Sequence, residues 1–169
     1  MEEWILDIID LAKKNPSHNF LFRCHPAEIN GRRKSFFKTG DFIRSNSNKI
    51  NNISIVDSDN ILSTYKLIDI SSAVIVYATK TAIEASCLEK PVLVCGESFI
   101  KGKKITLDLY EKDNLDINFK KLIKSFKVNK ERALRYAYYY FFREMKELPV
   151  KKILSNEVEL SRFVDEMIR

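Results

Sequence analysis

The chain has 169 residues, of which 45% are apolar and 31% charged, and it carries a net charge of +6. That is enough for one α/β-sized domain with a sizeable core and too little for two ordinary ones. No stretch approaches the roughly 20 apolar residues of a membrane span.

The start, MEEWILDIIDLAKKN, is acidic and amphipathic. A secretory leader would begin basic and turn apolar, so export is not expected. Cys24, Cys87 and Cys95 are odd in number and lack CxxC spacing. Each sits in or beside an apolar segment, which predicts buried free thiols and a reducing, cytoplasmic setting.

Ile5, Ile8, Ile9 and Ala12 recur at helical spacing and predict a helix over 2–14, ended by Asn15-Pro16-Ser17. NFLFRC (19–24) predicts a strand, and His25-Pro26-Ala27-Glu28 the loop after it. Residues 30–50 are polar with scattered aromatics and predict a loop with a short helix. ISIV (53–56) predicts a strand and DSDN (57–60) a turn. Residues 61–70 predict a helix capped by Ser63 or Asn60. Then come a strand at 73–77, a helix at 80–88 and a strand at 91–95. The loop 97–108 leads to an edge strand at 105–107, and helices follow at 116–127, 129–146 and 155–168. Strands alternating with helices predict a Rossmann-like parallel sheet of about five strands flanked by helices. The whole chain, 1–169, reads as one domain in which 129–169 form a helical tail.

Two loops carry the chemistry. Tyr77-Ala78-Thr79-Lys80-Thr81 leaves a strand and opens a helix. Two hydroxyls, a lysine and free backbone N–H groups there suit an anion, although Thr79 acting as a plain helix cap explains the same letters. Glu84 stands in an otherwise apolar helix, placed either to accept a ribose diol or to close a capping box with Thr81. His25 can donate to a phosphate or exchange protons, with Glu28 orienting it or holding a sugar. The bland alternative is a loop histidine fixed by Pro26. Two histidines and scattered acids make a poor metal set, so no metal is expected. No Walker A loop, G-x-G-x-x-G fingerprint or nucleophile elbow occurs.

Between Lys120 and Lys152, eleven Lys and Arg stand against three Glu. This flank suits an anionic sugar, a phosphate, a nucleic acid or an anionic membrane surface, or is a solvated helix face. The stretch RALRYAYYYFFREM (132–145) could stack bases, sit at a membrane interface or pack against another domain; the last is expected, and with no RNP-type motif present nucleic acid is not expected.

Taken together, HPAE after a strand, LSTYKLIDISSAVIVY, TKTAIEA and KPVLVCG resemble the capsule polysaccharide biosynthesis family, which is similar to bacterial Kdo transferases. The resemblance covers about residues 18–145 and extends to the aromatic RYAYYYFF. It implies one half of a GT-B fold, the carboxyl-terminal domain that binds a nucleotide-sugar donor. His25 would then meet the donor phosphate with Pro26 shaping the turn, Thr79, Lys80 and Thr81 would hold phosphate or a sugar carboxylate, and Glu84 would bind the ribose or help place the donor. Donors in the nearest members are CMP-linked acidic sugars. Lys80 departs from the small hydroxyl residue more usual there. The acceptor-binding amino-terminal half would come from a missing domain or a partner chain, and the acceptor would be a glycan or glycolipid. The resemblance also leaves room for a GT-B-like sugar-nucleotide epimerase, while the residues alone allow a non-catalytic interaction module.

Overall fold

Ile5, Ile8, Ile9, Leu11 and Ala12 form the buried stripe of helix α1 (Glu2–Lys14) in a computed structural model that describes residues 1–30 and 36–144. Asn15 ends this helix, its side-chain amide donating to the Leu11 carbonyl at 2.9 Å. Strand β1 (Phe20–Arg23) follows, then short helix α2 (Ala27–Asn30), helix α3 (Thr39–Asn46) and strand β2 (Ile53–Val56). β1 and β2 pair in parallel, with Phe20 opposite Ile53. Helix α4 (Thr64–Ile70) leads to β3 (Val74–Val76), α5 (Thr81–Cys87) and β4 (Val92–Val94). β5 (Leu107–Asp108) and helices α6 (Leu115–Lys124) and α7 (Lys130–Tyr138) come next, and a π-helical turn runs over Tyr139–Glu144. The second ladder has the order β3-β4-β5, again parallel.

The molecule is therefore α/β with parallel strands flanked by helices, as alternating elements require. Successive side chains on a strand face opposite ways, and that alternation sorts the helices. Val74, Val76, Val92 and Val94 pack against Ala82, Ile83 and Ala85 of α5 and Ala133 of α7. Between them, Leu93 turns to Leu122 of α6, and Ile75 to Leu11, Phe20 and Phe119. Beside these, Ile53 and Phe22 meet Ile5 and Ile9 of α1 and Ile43 of α3. Helices α1, α3 and α6 thus cover one face, and α4, α5 and α7 the other.

The expected continuous sheet is divided. β1 and β3 share an apolar cluster, but the strand order breaks between them. Hydrophobic pattern assigns strands and faces; it does not determine where backbone ladders close. Two smaller shifts concern the edges. β5 covers 107–108 rather than 105–107, and the helix expected over 129–146 turns π-helical from Tyr139. Of the two candidate caps, Ser63 accepts the Tyr65 N–H at the start of α4, while Asn60 holds the Leu62 N–H in the preceding turn. The helix expected at 155–168 lies outside the described residues. No described helix is long and apolar enough to cross a membrane.

Ile83 joins α5 to the strands and is fully buried. Ile83→Ala is expected to cost about 2–5 kcal/mol through lost burial and the cavity left behind. Urea unfolding checks this: the midpoint should fall at unchanged slope.

Candidate functional site

β1 and β3 are the facing edges of the two ladders, and each releases one candidate loop from its carboxyl end. In doubly wound sheets ligands bind at that end, where the chain changes direction between neighbouring strands. Here β1 runs outward to β2, and the chain then returns to β3 on the other side of β1.

His25 stands two residues past the end of β1 and is exposed. Its Nδ1 accepts the Ala27 N–H at 3.0 Å, so the neutral ring carries its proton on Nε2. The His25 and Pro26 carbonyls accept from Glu28 and Ile29, closing the first turn of α2. The imidazole is held by one nitrogen and presents the other as a donor. Both the bland reading and the functional one survive in this geometry: Pro26 sits inside the turn, and Nε2 is left outward.

Glu28 is more heavily engaged than its letters suggest. One carboxylate oxygen accepts from the Thr39 N–H at 3.3 Å and from the Ser58 hydroxyl at 3.1 Å. It ties α2 to the start of α3 and to the turn after β2, and no hydrogen bond joins it to His25. Around it lies a cleft of about 230 Å³, lined by Glu28, Lys38, Asp41, Arg44, Asp57 and Asp59 among others. Arg44 pairs with both Asp41 and Asp57. Gly40 sits so close to Asp57 that a Cβ there would collide with its carboxylate.

At the second loop, Thr79 caps in the manner of the bland reading: its hydroxyl oxygen accepts the Thr81 N–H at 3.4 Å. The two threonine hydroxyls also meet at 3.3 Å, each partly buried, with Lys80 exposed between them. Glu84 does not close a capping box. Its carboxylate lies against the Tyr65 hydroxyl of α4 and raises that phenol's pKa, first by its charge and then by the hydrogen bond. The Lys90 ammonium donates to the Asp69 and Ser71 carbonyls at the end of α4, so the Lys of Lys90-Pro91 serves as a helix cap. Tyr77 lies between the Trp4 ring, 5.6 Å away, and Gly96, where a Cβ would stand 2.9 Å from the tyrosine ring.

Two groups of candidates thus form, His25–Glu28 and Thr79–Glu84, and among the described residues no hydrogen bond or ion pair connects them. Tyr65, Arg44 and Asp57 were missed in the sequence. A residue two places after the Ser63 cap faces the next helix start only once α4 and α5 are packed, a non-local fact. The turn DSDN was legible, but not that Asp57 would meet Arg44. Among the described residues no three His, Cys, Asp or Glu side chains stand together as a metal-holding group.

The aromatic helix packs inward by one side only. Tyr136, Ala137, Tyr140 and Phe141 join the core beside Ala133, and Tyr140 stacks on Phe99 at 4.4 Å. On that side the helix packs into this chain's own core, whereas the sequence pointed to another domain.

All three cysteines are free; Cys24 is buried and the other two partly so. Burial pushes the Cys24 thiol up to about 11, with Glu28 and Asp57 adding to the effect. Folding therefore favours the protonated thiol. This contribution is complete below the unfolded value of 9.0 and is lost as pH rises towards about 11. Folded protein at pH 9 should leave Cys24 unmodified by iodoacetamide while unfolded chain is alkylated. Peptide mass mapping reads the difference, and the loss of stability above pH 9 should be smaller in Cys24→Ala.

No protein-family model, curated protein or solved structure matches this chain.

Proposed function

We propose that the chain is the donor-nucleotide-binding half of a glycosyltransferase acting in capsular or surface polysaccharide synthesis. The observation that carries this reading is the placement of His25 and of Thr79–Thr81 after β1 and β3, the two strands that flank the change of direction. The exposed Nε2 of His25 donates to the leaving nucleotide phosphate, and the Thr79 and Thr81 hydroxyls hold phosphate or a sugar carboxylate. Lys80 adds charge beside them. Glu84, shared with the Tyr65 hydroxyl, accepts from the ribose. Neutralising the phosphate as the glycosyl bond breaks lowers the barrier to transfer. Glu28 positions the turn rather than acting as the base, because its carboxylate already serves Thr39 and Ser58. The donor is a nucleotide sugar, with CMP-linked acidic sugars suiting the basic flank, and the acceptor is a glycan or glycolipid. An amino-terminal GT-B domain or a partner chain supplies the acceptor side. The setting is cytoplasmic, peripheral to the inner face of a membrane.

A second reading, a non-catalytic interaction module, is favoured by one observation: Thr79, Thr81 and Glu84 all have partners within the chain.

Ligand-observed NMR with CMP, UDP, GDP and dTDP separates the two. One nucleotide should bind, and both His25→Ala and Glu84→Ala should weaken it about tenfold, the loss of one charge-assisted hydrogen bond each. Absence of binding to folded protein by all four favours the interaction module.

A further inference from the structure

Helix α7 and the turn after it have a second side. Leu134, Tyr138 and Phe142 follow at intervals of four and form one outward stripe, with Phe142 74% exposed and the Tyr138 and Phe142 rings 5.4 Å apart. Tyr139 is exposed beside them. Nothing among the described residues covers this stripe, and large apolar side chains gathered on a surface mark a contact site.

The charges around it are mostly positive. Over 127–144 stand Lys127, Lys130, Arg132, Arg135 and Arg143 against Glu131 and Glu144. Glu131 is held by Arg135, and Lys130 is held by Glu89 of the neighbouring helix end. Arg132 and Arg143 are exposed and join no ion pair among the described residues.

We propose that this face docks on an anionic lipid surface, with Tyr138 and Phe142 at headgroup depth and Arg132 and Arg143 on lipid phosphates. Tyrosine and phenylalanine on a helix flanked by arginines fit the boundary between headgroups and acyl chains, where an apolar body and a polar tip are both satisfied. A second copy of the chain fits less well, since a two-fold contact would bring the same unpaired arginines together. RNA fits less well too, because stacking bases need aromatics displayed on a sheet or loops. The inference deepens the peripheral-membrane part of the reading above and uses none of the donor-site residues.

Co-sedimentation of the full chain with phosphatidylcholine vesicles, and with vesicles of phosphatidylcholine mixed with phosphatidylglycerol, tests it. The chain should bind only the second kind and release as salt is raised. Tyr138→Ser with Phe142→Ser should weaken binding about tenfold or more. Arg132→Gln with Arg143→Gln should cost about fivefold per charge. All four positions are exposed, so thermal melts should show both variants folded. No sedimentation, equal binding to both vesicles, or binding untouched by either double variant overturns the proposal. So does a concentration-dependent dimer that the Tyr138→Ser, Phe142→Ser variant abolishes. The nucleotide titrations are read separately, so loss of donor binding and loss of lipid binding are told apart.

Discussion

A seam of side chains, not a continuous backbone ladder, holds the two halves of this molecule together. Phe20 and Phe22 on β1 and Ile75 on β3 meet under α1, whose Trp4 reaches both Phe22 and Tyr77. Phe119 of α6 packs on Phe20 from below, with ring centroids 5.4 Å apart. Apolar contacts lack the directionality of hydrogen bonds, so the seam relies on the shapes of a few large rings. Asn15 reinforces it at one end, its amide donating to Asp116 of α6 at 3.1 Å while it also closes α1. Everything at the carboxyl edge, His25 on one side and Thr79 on the other, takes its position from this joint.

The same joint explains what the sequence could and could not reveal. The stripe Ile5, Ile8, Ile9, Ala12 and the alternation through Val74-Ile75-Val76 and Val92-Leu93-Val94 follow from local periodicity, and they assign each helix to a face. Asn52 shows the limit. Its side-chain amide donates to the Ala12, Asn15 and His18 carbonyls, tying the end of α1 to the entry of β2. Nothing local distinguishes it from Asn51 beside it. The break between β1 and β3 is equally non-local, since it depends on how large side chains from α1, β1, β3 and α6 share one space.

The candidate site divides along the same line. That a histidine and a threonine pair would follow the ends of strands was legible, because it needs only the strand boundaries. The partners of the carboxylates were not. Glu28 and Glu84 looked like chemistry in the sequence, and both turned out to act on groups brought in from afar: Glu28 accepts from Ser58 and the Thr39 N–H, and the Glu84 charge raises the pKa of the Tyr65 phenol. An acid inside a short helix announces that it has a partner without saying which.

Gly40 sets a limit on how this chain can diverge. Because α3 begins against the Asp57 carboxylate, a side chain where Gly40 stands would have to push that carboxylate aside, and with it the ion pair to Arg44. Sliding α3 by one residue would bring Thr39 or Asp41 to that contact and part Arg44 from Asp57, while its pair with Asp41, on the same helix, would move with it. Insertions and deletions in the polar stretch before α3 are therefore tolerable to the fold only when they leave this helix in frame with the end of β2. What must be kept there is the phase of α3 against the end of β2.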